Sequence, residues 1–158
     1  RFDLVVNVMT KVALLNKQII INNPSLWRPL IDIRDVAHAY VRAIESNISI
    51  TGVYNISYDN YTIGRLADEI KEELATFDKK TEIKTLHKED LRNYKVSTDK
   101  AKKELDFVPK FSPRDSVRKI LNNLLNKDGS YFIEEPSGEL CPIADCRYLN
   151  LETFKKIF

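Results

Sequence analysis

The chain has 158 residues and a mass of 18.3 kDa, with 43% hydrophobic and 30% charged residues, the proportions of one ordinary globular domain. Lys+Arg 25 against Asp+Glu 23 leaves a net charge of +2, too small a surplus to mark a nucleic-acid or membrane surface. No apolar run reaches the ~20 residues a bilayer requires, and Gly 4 with Pro 6 excludes a collagen-like or linker-type chain.

Leu4, Val5, Val8, Val12 and Leu15 recur at helical spacing, which predicts an amphipathic helix over Phe2–Asn16 with those side chains inward. Gln18–Ile21 is short and β-branched and ends at Asn22-Asn23-Pro24, a strand closed by a turn. Pro29 keeps Arg28 extended, and Leu30–Ile33 reads as a short strand-like step. Asp35 is the expected N-cap of a second helix with Val36, Ala37, Tyr40, Val41 and Ile44 on its apolar face. Val53-Tyr54-Asn55-Ile56 reads as a buried strand.

Thr62 is expected to cap a third helix, with Ile63, Leu66, Ala67, Ile70 and Leu74 inward and a solvated outer face from Asp68 to Glu73. Glu82–Leu86 alternates weakly and is taken as a strand, followed by polar loop to Tyr94 and an extended step at Lys95-Val96. Thr98 opens a helix that runs to about Leu105. Ser112-Pro113-Arg114-Asp115 is the strongest helix start, and Val117, Ile120, Leu121, Leu124 and Leu125 form the inner face behind it. Tyr131–Phe158 reads as an irregular tail with a last helix from about Leu151. The alternation of helices and strands argues for α/β packing, but the strands are few for a closed parallel sheet, so part of a larger α/β protein is expected.

Several chemistries lack their motifs. The glycines at 52, 64, 129 and 138 are isolated, so there is no dinucleotide fingerprint and no phosphate loop. There is no Gly-x-Ser-x-Gly elbow and no Tyr followed four residues later by Lys in a catalytic setting. Cys141 and Cys146 lack the further ligands of a zinc site and are read as free thiols, with a strained disulfide across their short loop as the alternative and a cytoplasmic location as the default. His38 is read as a surface or half-buried helix residue and His87 as a loop residue. The positive signals are Arg28 beside a strand and Arg92 in a polar loop, since a guanidinium fork suits phosphate oxygens. From spacing alone neither is specific, and an arginine in a loop is more often a surface charge than a phosphate ligand.

Ordered motifs add to this reading. Arg28-Pro29-Leu30-Ile31-Asp32-Ile33-Arg34-Asp35-Val36-Ala37 resembles a signature of the extended short-chain dehydrogenase/reductases that act as sugar-nucleotide epimerases and dehydratases, with Asp32 where many members have His. Gly52-Val53-Tyr54-Asn55-Ile56, the helix start at Tyr61–Ala67, Arg92-Asn93-Tyr94 through Ala101, and Leu105-Asp106-Phe107-Val108-Pro109 resemble later motifs of that family in the same order. The resemblance covers about residues 1–127, a substrate-binding C-terminal region, and leaves 128–158 as a C-terminal extension.

The resemblance implies an α/β fold, the C-terminal substrate-binding part of a Rossmann-type enzyme without its dinucleotide-binding half. It implies a chain that starts within a longer protein, carries no catalytic residue and is inactive alone. NAD or NADP would sit on the missing N-terminal half, no cofactor on this chain, and the partners would be a nucleotide-diphosphate sugar and that Rossmann half. Arg28 and Arg92 match arginines near the substrate diphosphate, the strand through Ile20 and Ile21 lies where the base is contacted, and Asn7 and Tyr94 are further polar candidates. A detached half is expected to self-associate through uncovered apolar surface. The alternative is a non-catalytic nucleotide-sugar-binding or interaction module, and beyond it an unrelated α/β protein.

Overall fold

The structure, a computed structural model, describes residues 4–86 and 92–123, together with the backbone of strands at 125–127, 130–134 and 140–142. Helix α1 (Val5–Asn16) leads through Lys17, in the left-handed conformation, into strand β1 (Gln18–Asn22). Strand β2 (Trp27–Leu30) follows, then helix α2 (Ile33–Glu45), strand β3 (Asp59–Thr62), helix α3 (Ile63–Ala75) and strand β4 (Glu82–Leu86). Helices α4 (Asp99–Leu105) and α5 (Pro113–Asn122) come next. Strands β5 (Leu125–Lys127), β6 (Ser130–Glu134) and β7 (Leu140–Pro142) close the sequence of elements.

β1 and β4 pair in parallel, Gln18 opposite Glu82 through Asn22 opposite Leu86. β2 and β3 pair antiparallel, Trp27 opposite Thr62 and Pro29 opposite Asn60. A proline is tolerated there because, among the described residues, this ribbon has two strands and each has an open side. β5, β6 and β7 form a separate antiparallel sheet.

The main core gathers α1, β1, α3 and α5 around Ile19, Leu66, Ile70, Leu74 and Val117. α3 is inward on the expected face: Ile63, Leu66, Ala67, Ile70 and Leu74 are all buried, and the Thr62 hydroxyl accepts from the Arg65 amide as its cap. α5 begins with the expected signal in full, the Ser112 hydroxyl accepting from the Asp115 amide while the Asp115 carboxylate accepts from the Ser112 amide. A second cluster, Ala39, Ala101, Leu105 and Phe107, joins α2 to α4.

Several expectations are corrected. α1 turns Met9, Thr10, Ala13 and Leu14 inward, while Leu4, Val8 and Leu15 are exposed. The helix is apolar on more than one side, so its period fixes the helix and its neighbours select the face. The extended segment is Trp27–Leu30, not Leu30–Ile33. Asp32, not Asp35, caps α2, accepting from the Arg34 amide at 2.9 Å. Asp35 is instead fully buried, and its two carboxylate oxygens accept from the Lys110 and Phe111 amides at 2.9 Å each.

The face of α2 expected to be inward is outward, with Tyr40 69% and Ile44 82% exposed. Residues 53–56 form no strand, and Val53 is exposed. Tyr54 there donates its hydroxyl to Glu104 at 2.6 Å and lies under the Lys100 ammonium. Glu73, placed on the solvated face of α3, is buried and paired to Arg118, Nε to Oε1 at 2.7 Å.

Thr98 precedes α4 as expected but makes no side-chain cap; the neighbouring Ser97 hydroxyl accepts from the Asp99 amide. Leu125 belongs to β5 rather than to α5, and Ser130–Glu134 and Leu140–Pro142 are strands where an irregular tail was expected. The helix expected from Leu151, Cys146 and His87 lie outside the described residues.

Candidate functional site

A hollow of about 920 Å³ opens between the start of α1, the ends of β1 and β2, the start of α2 and one face of α5. Arg28 and Arg92, 64 positions apart, both line it. Their convergence has a visible cause. β3 pairs with β2, and the Asn60 side chain on β3 clips the segment that carries Arg92, donating to the Val96 carbonyl and accepting from the Val96 amide at 2.9 Å each. The Asn93 side chain accepts from the Trp27 amide at 2.9 Å. The Arg28 guanidinium donates to the Trp27 carbonyl at 2.8 Å and to the Arg92 carbonyl. Lys95 places its ammonium 3.5 Å from the Trp27 ring centroid, a cation–π contact across the same junction.

The other expected site residues fall as follows. Asn7, on α1, and Ile20 and Ile21, on β1, line the same hollow. Ile20 is about half exposed, whereas Ile21 is buried, so alternation along the strand gives one side chain to the opening and the other to the core. Tyr94 is not on the lining; its ring lies 5.9 Å from the Arg28 guanidinium carbon, behind the arginine.

At the foot of the hollow is an ion pair not expected from the sequence. The Arg34 Nε meets Asp32 Oδ1 at 2.8 Å and its Nη2 meets Oδ2 at 2.9 Å, while the Ser116 hydroxyl donates to the same carboxylate at 2.5 Å. The hydrogen bonds from Arg34 hold the Asp32 carboxyl well below the usual carboxylate range, with burial pulling the other way and Ser116 adding to the lowering. The Arg34 guanidinium lies 3.6 Å over the Phe111 ring, so α2 and α5 are tied at their N-termini. Lys119, Ser116 and Asn123 also face the hollow from α5. Sequence reasoning missed Lys119, which reads simply as one more charge on the outer side of an amphipathic helix.

At Gly64 an added Cβ would stand 3.1 Å from the Pro24 side chain and 3.2 Å from its carbonyl, and the Gly64 amide already donates to that carbonyl. The absence of a side chain at Gly64 lets the start of α3 pack closely against the turn at Pro24. Among the described residues, no group of His, Cys, Asp and Glu could hold a metal ion, and no helix is long and apolar enough to cross a membrane.

The arrangement has the fold of part of an extended short-chain dehydrogenase/reductase. Among solved structures, RMD from Pseudomonas aeruginosa in complex with NADPH is similar over 77% of this chain and 42% of its own, at 17% identity and a TM-score of 0.64. The dTDP-glucose 4,6-dehydratase of Bacillus anthracis in complex with NAD is similar over 77% of this chain and 40% of its own, at 21% identity and a TM-score of 0.61. The UDP-glucose 4-epimerase of Thermotoga maritima, solved with UDP-glucose, is similar over 74% and 40%, at 27% identity and a TM-score of 0.58. The chain thus spans about two fifths of the length of the proteins whose fold it shares. No protein-family profile and no curated protein sequence matches it.

Proposed function

We propose that this chain is the nucleotide-sugar-binding C-terminal portion of an NAD(P)-dependent epimerase, dehydratase or reductase, and that Arg28 and Arg92 hold the substrate diphosphate. The observation that carries the reading is the meeting of these two arginines on one hollow large enough for a nucleotide sugar. Two planar forks can share the oxygens of a diphosphate, and anchoring that group orients the sugar for chemistry elsewhere. The base lies against β1 at Ile20 and Ile21, and the Asn7 amide offers a polar contact to the ligand. Tyr94 backs Arg28 and limits its rotamers.

The α2 stripe of Ile33, Tyr40, Val41 and Ile44 and the unpaired run at 53–56 support an incomplete unit, since such apolar surface is normally covered. The N-terminal Rossmann half would cover it, bind NAD or NADP and supply the hydride chemistry. Residues 128–158 form an extension to this region, with β5 contributed from just before it. Separated from its partner half, the chain self-associates.

The test is calorimetric binding of UDP-glucose and dTDP-glucose to the full-length protein and to its Arg28→Met and Arg92→Met variants, with circular dichroism to confirm folding. Each substitution is expected to weaken binding by about 1.5–3 kcal/mol, the range for a hydrogen bond to a charged group. Unchanged affinity in both folded variants overturns the reading.

A further inference from the structure

Residues 92–97 bring Arg92 to the hollow, yet they belong to no helix or strand and none of them is buried. Their ties come from one platform, the β2–β3 ribbon. The Arg28 guanidinium holds the Arg92 carbonyl, the Trp27 amide donates to the Asn93 side chain, the Trp27 ring carries the Lys95 ammonium, and the Asn60 carboxamide clips Val96. Just beyond, the chain is fixed in another way. α4 starts at Asp99 and buries Ala101 and Leu105 in the cluster with Ala39 and Phe107. Between the two regimes stands Thr98, at φ −106° and ψ 6°, near the sparsely populated bridge region.

A segment with neither a buried apolar anchor nor a ladder opens at a free energy far below that of the core. Ties that share one platform and one short backbone are coupled, so that losing one loosens the next. When such a segment lifts, the Arg28 side chain stays with β2 and the Arg92 side chain leaves with the segment. An anion that contacts Arg92 in the hollow therefore binds the closed form more tightly and shifts the population toward it.

We propose that residues 92–97 are a strap that releases from the β2–β3 ribbon as one unit, pivoting at Thr98, and that a diphosphate ligand in the hollow draws it shut. The inference rests on the diphosphate reading above and adds to it a conformational step that binding completes.

The experiment is hydrogen exchange read at single amides of the full-length protein, with and without saturating UDP, whose binding is followed by calorimetry. Without ligand, the Trp27 and Val96 amides are expected to share one protection factor, at least about a hundredfold below that of Ile70 in α3. UDP is expected to raise both by about tenfold, the worth of one hydrogen bond to a charged group missing from the open form. Two variants test the unit. Asn60→Ala should speed exchange at the Trp27 amide, whose acceptor is Asn93, and Asn93→Ala should speed it at the Val96 amide, whose acceptor is Asn60, each about fivefold and with Ile70 unmoved. Protection of the strap equal to that of Ile70, or variants that act only on the amide they touch, overturn the inference. If UDP binds and the strap amides do not respond, the strap inference falls and the diphosphate reading stands. If UDP does not bind, the diphosphate reading falls and takes this inference with it.

Discussion

Replacing Asp35 by asparagine, ordinarily among the mildest of substitutions, is expected to be severe. The Asp35 side chain is fully buried, and each of its oxygens accepts one backbone N–H, from Lys110 and Phe111 at 2.9 Å. Asparagine has one oxygen and one NH2 group. One amide keeps its acceptor; the other faces a donor and is left without one in a dry site. Hydrogen bonds to a charged acceptor are worth about 1.5–3 kcal/mol each, and a stranded buried donor costs about 1–3 kcal/mol. Asp35→Asn should therefore destabilise by about 3 kcal/mol, no less than Asp35→Ala, in which both amides lose their partner but no donors collide. Urea unfolding followed by far-ultraviolet circular dichroism measures both, with the slope checked for unchanged cooperativity. A loss under about 1 kcal/mol for Asp35→Asn would mean that Asp35 does not hold the 110–111 backbone, and the account of how α2 is tied to the approach of α5 would be wrong.

Other outcomes follow from neighbouring groups. The Asp32 carboxyl titrates lower in the folded chain than in the unfolded one, so its contribution is present above the ordinary carboxylate value of about 4 and is lost as the pH falls below it. An acid titration of stability should show that limb in the wild type and a shallower one in Asp32→Asn; parallel curves would refute the ion pair with Arg34. Arg118→Met leaves the buried Glu73 carboxylate unpaired. Because the arginine is 53% exposed, the expected loss is smaller than that of a fully buried pair, and the double change with Glu73→Leu should restore most of it. Additive losses in that thermal-unfolding cycle would count against the pairing.

Much of the fold could be read from single residues. α3 is legible because its apolar residues fall on one side and Thr62 supplies its cap. α5 is legible because Ser112, Pro113 and Asp115 each favour the same start. The faces of α1 and α2 were not legible, for opposite reasons. α1 has apolar residues around its circumference, and only contact with α3, α5 and β1 chooses among them. α2 has one clear apolar stripe, but among the described residues that stripe is largely exposed, and the helix is held by Ala39 and by the Asp35 carboxylate instead. The run at 53–56 has strand composition without a ladder partner among the described residues, a non-local condition that periodicity does not contain.

The meeting of Arg28 and Arg92 was legible only through the ordered motifs. Nothing local to either arginine points at the other; the link passes through Asn60, which carried no signal of its own. Asp32 was read as a departure from a motif, and its bond to Ser116, 84 positions away, appears only once α5 packs beside α2.

The Asn60 clip bears on how such a protein ages. The strip bearing Arg92 is fastened by two carboxamides, Asn60 and Asn93, in place of a backbone ladder. Asparagine is among the thermolabile residues. Hydrolysis of the Asn60 amide to a carboxylate would delete the donor to Val96 and set a negative charge beside that carbonyl, slackening one guanidinium's perch while leaving both arginines chemically intact. On the proposed reading, such a preparation would lose affinity for a nucleotide sugar during storage.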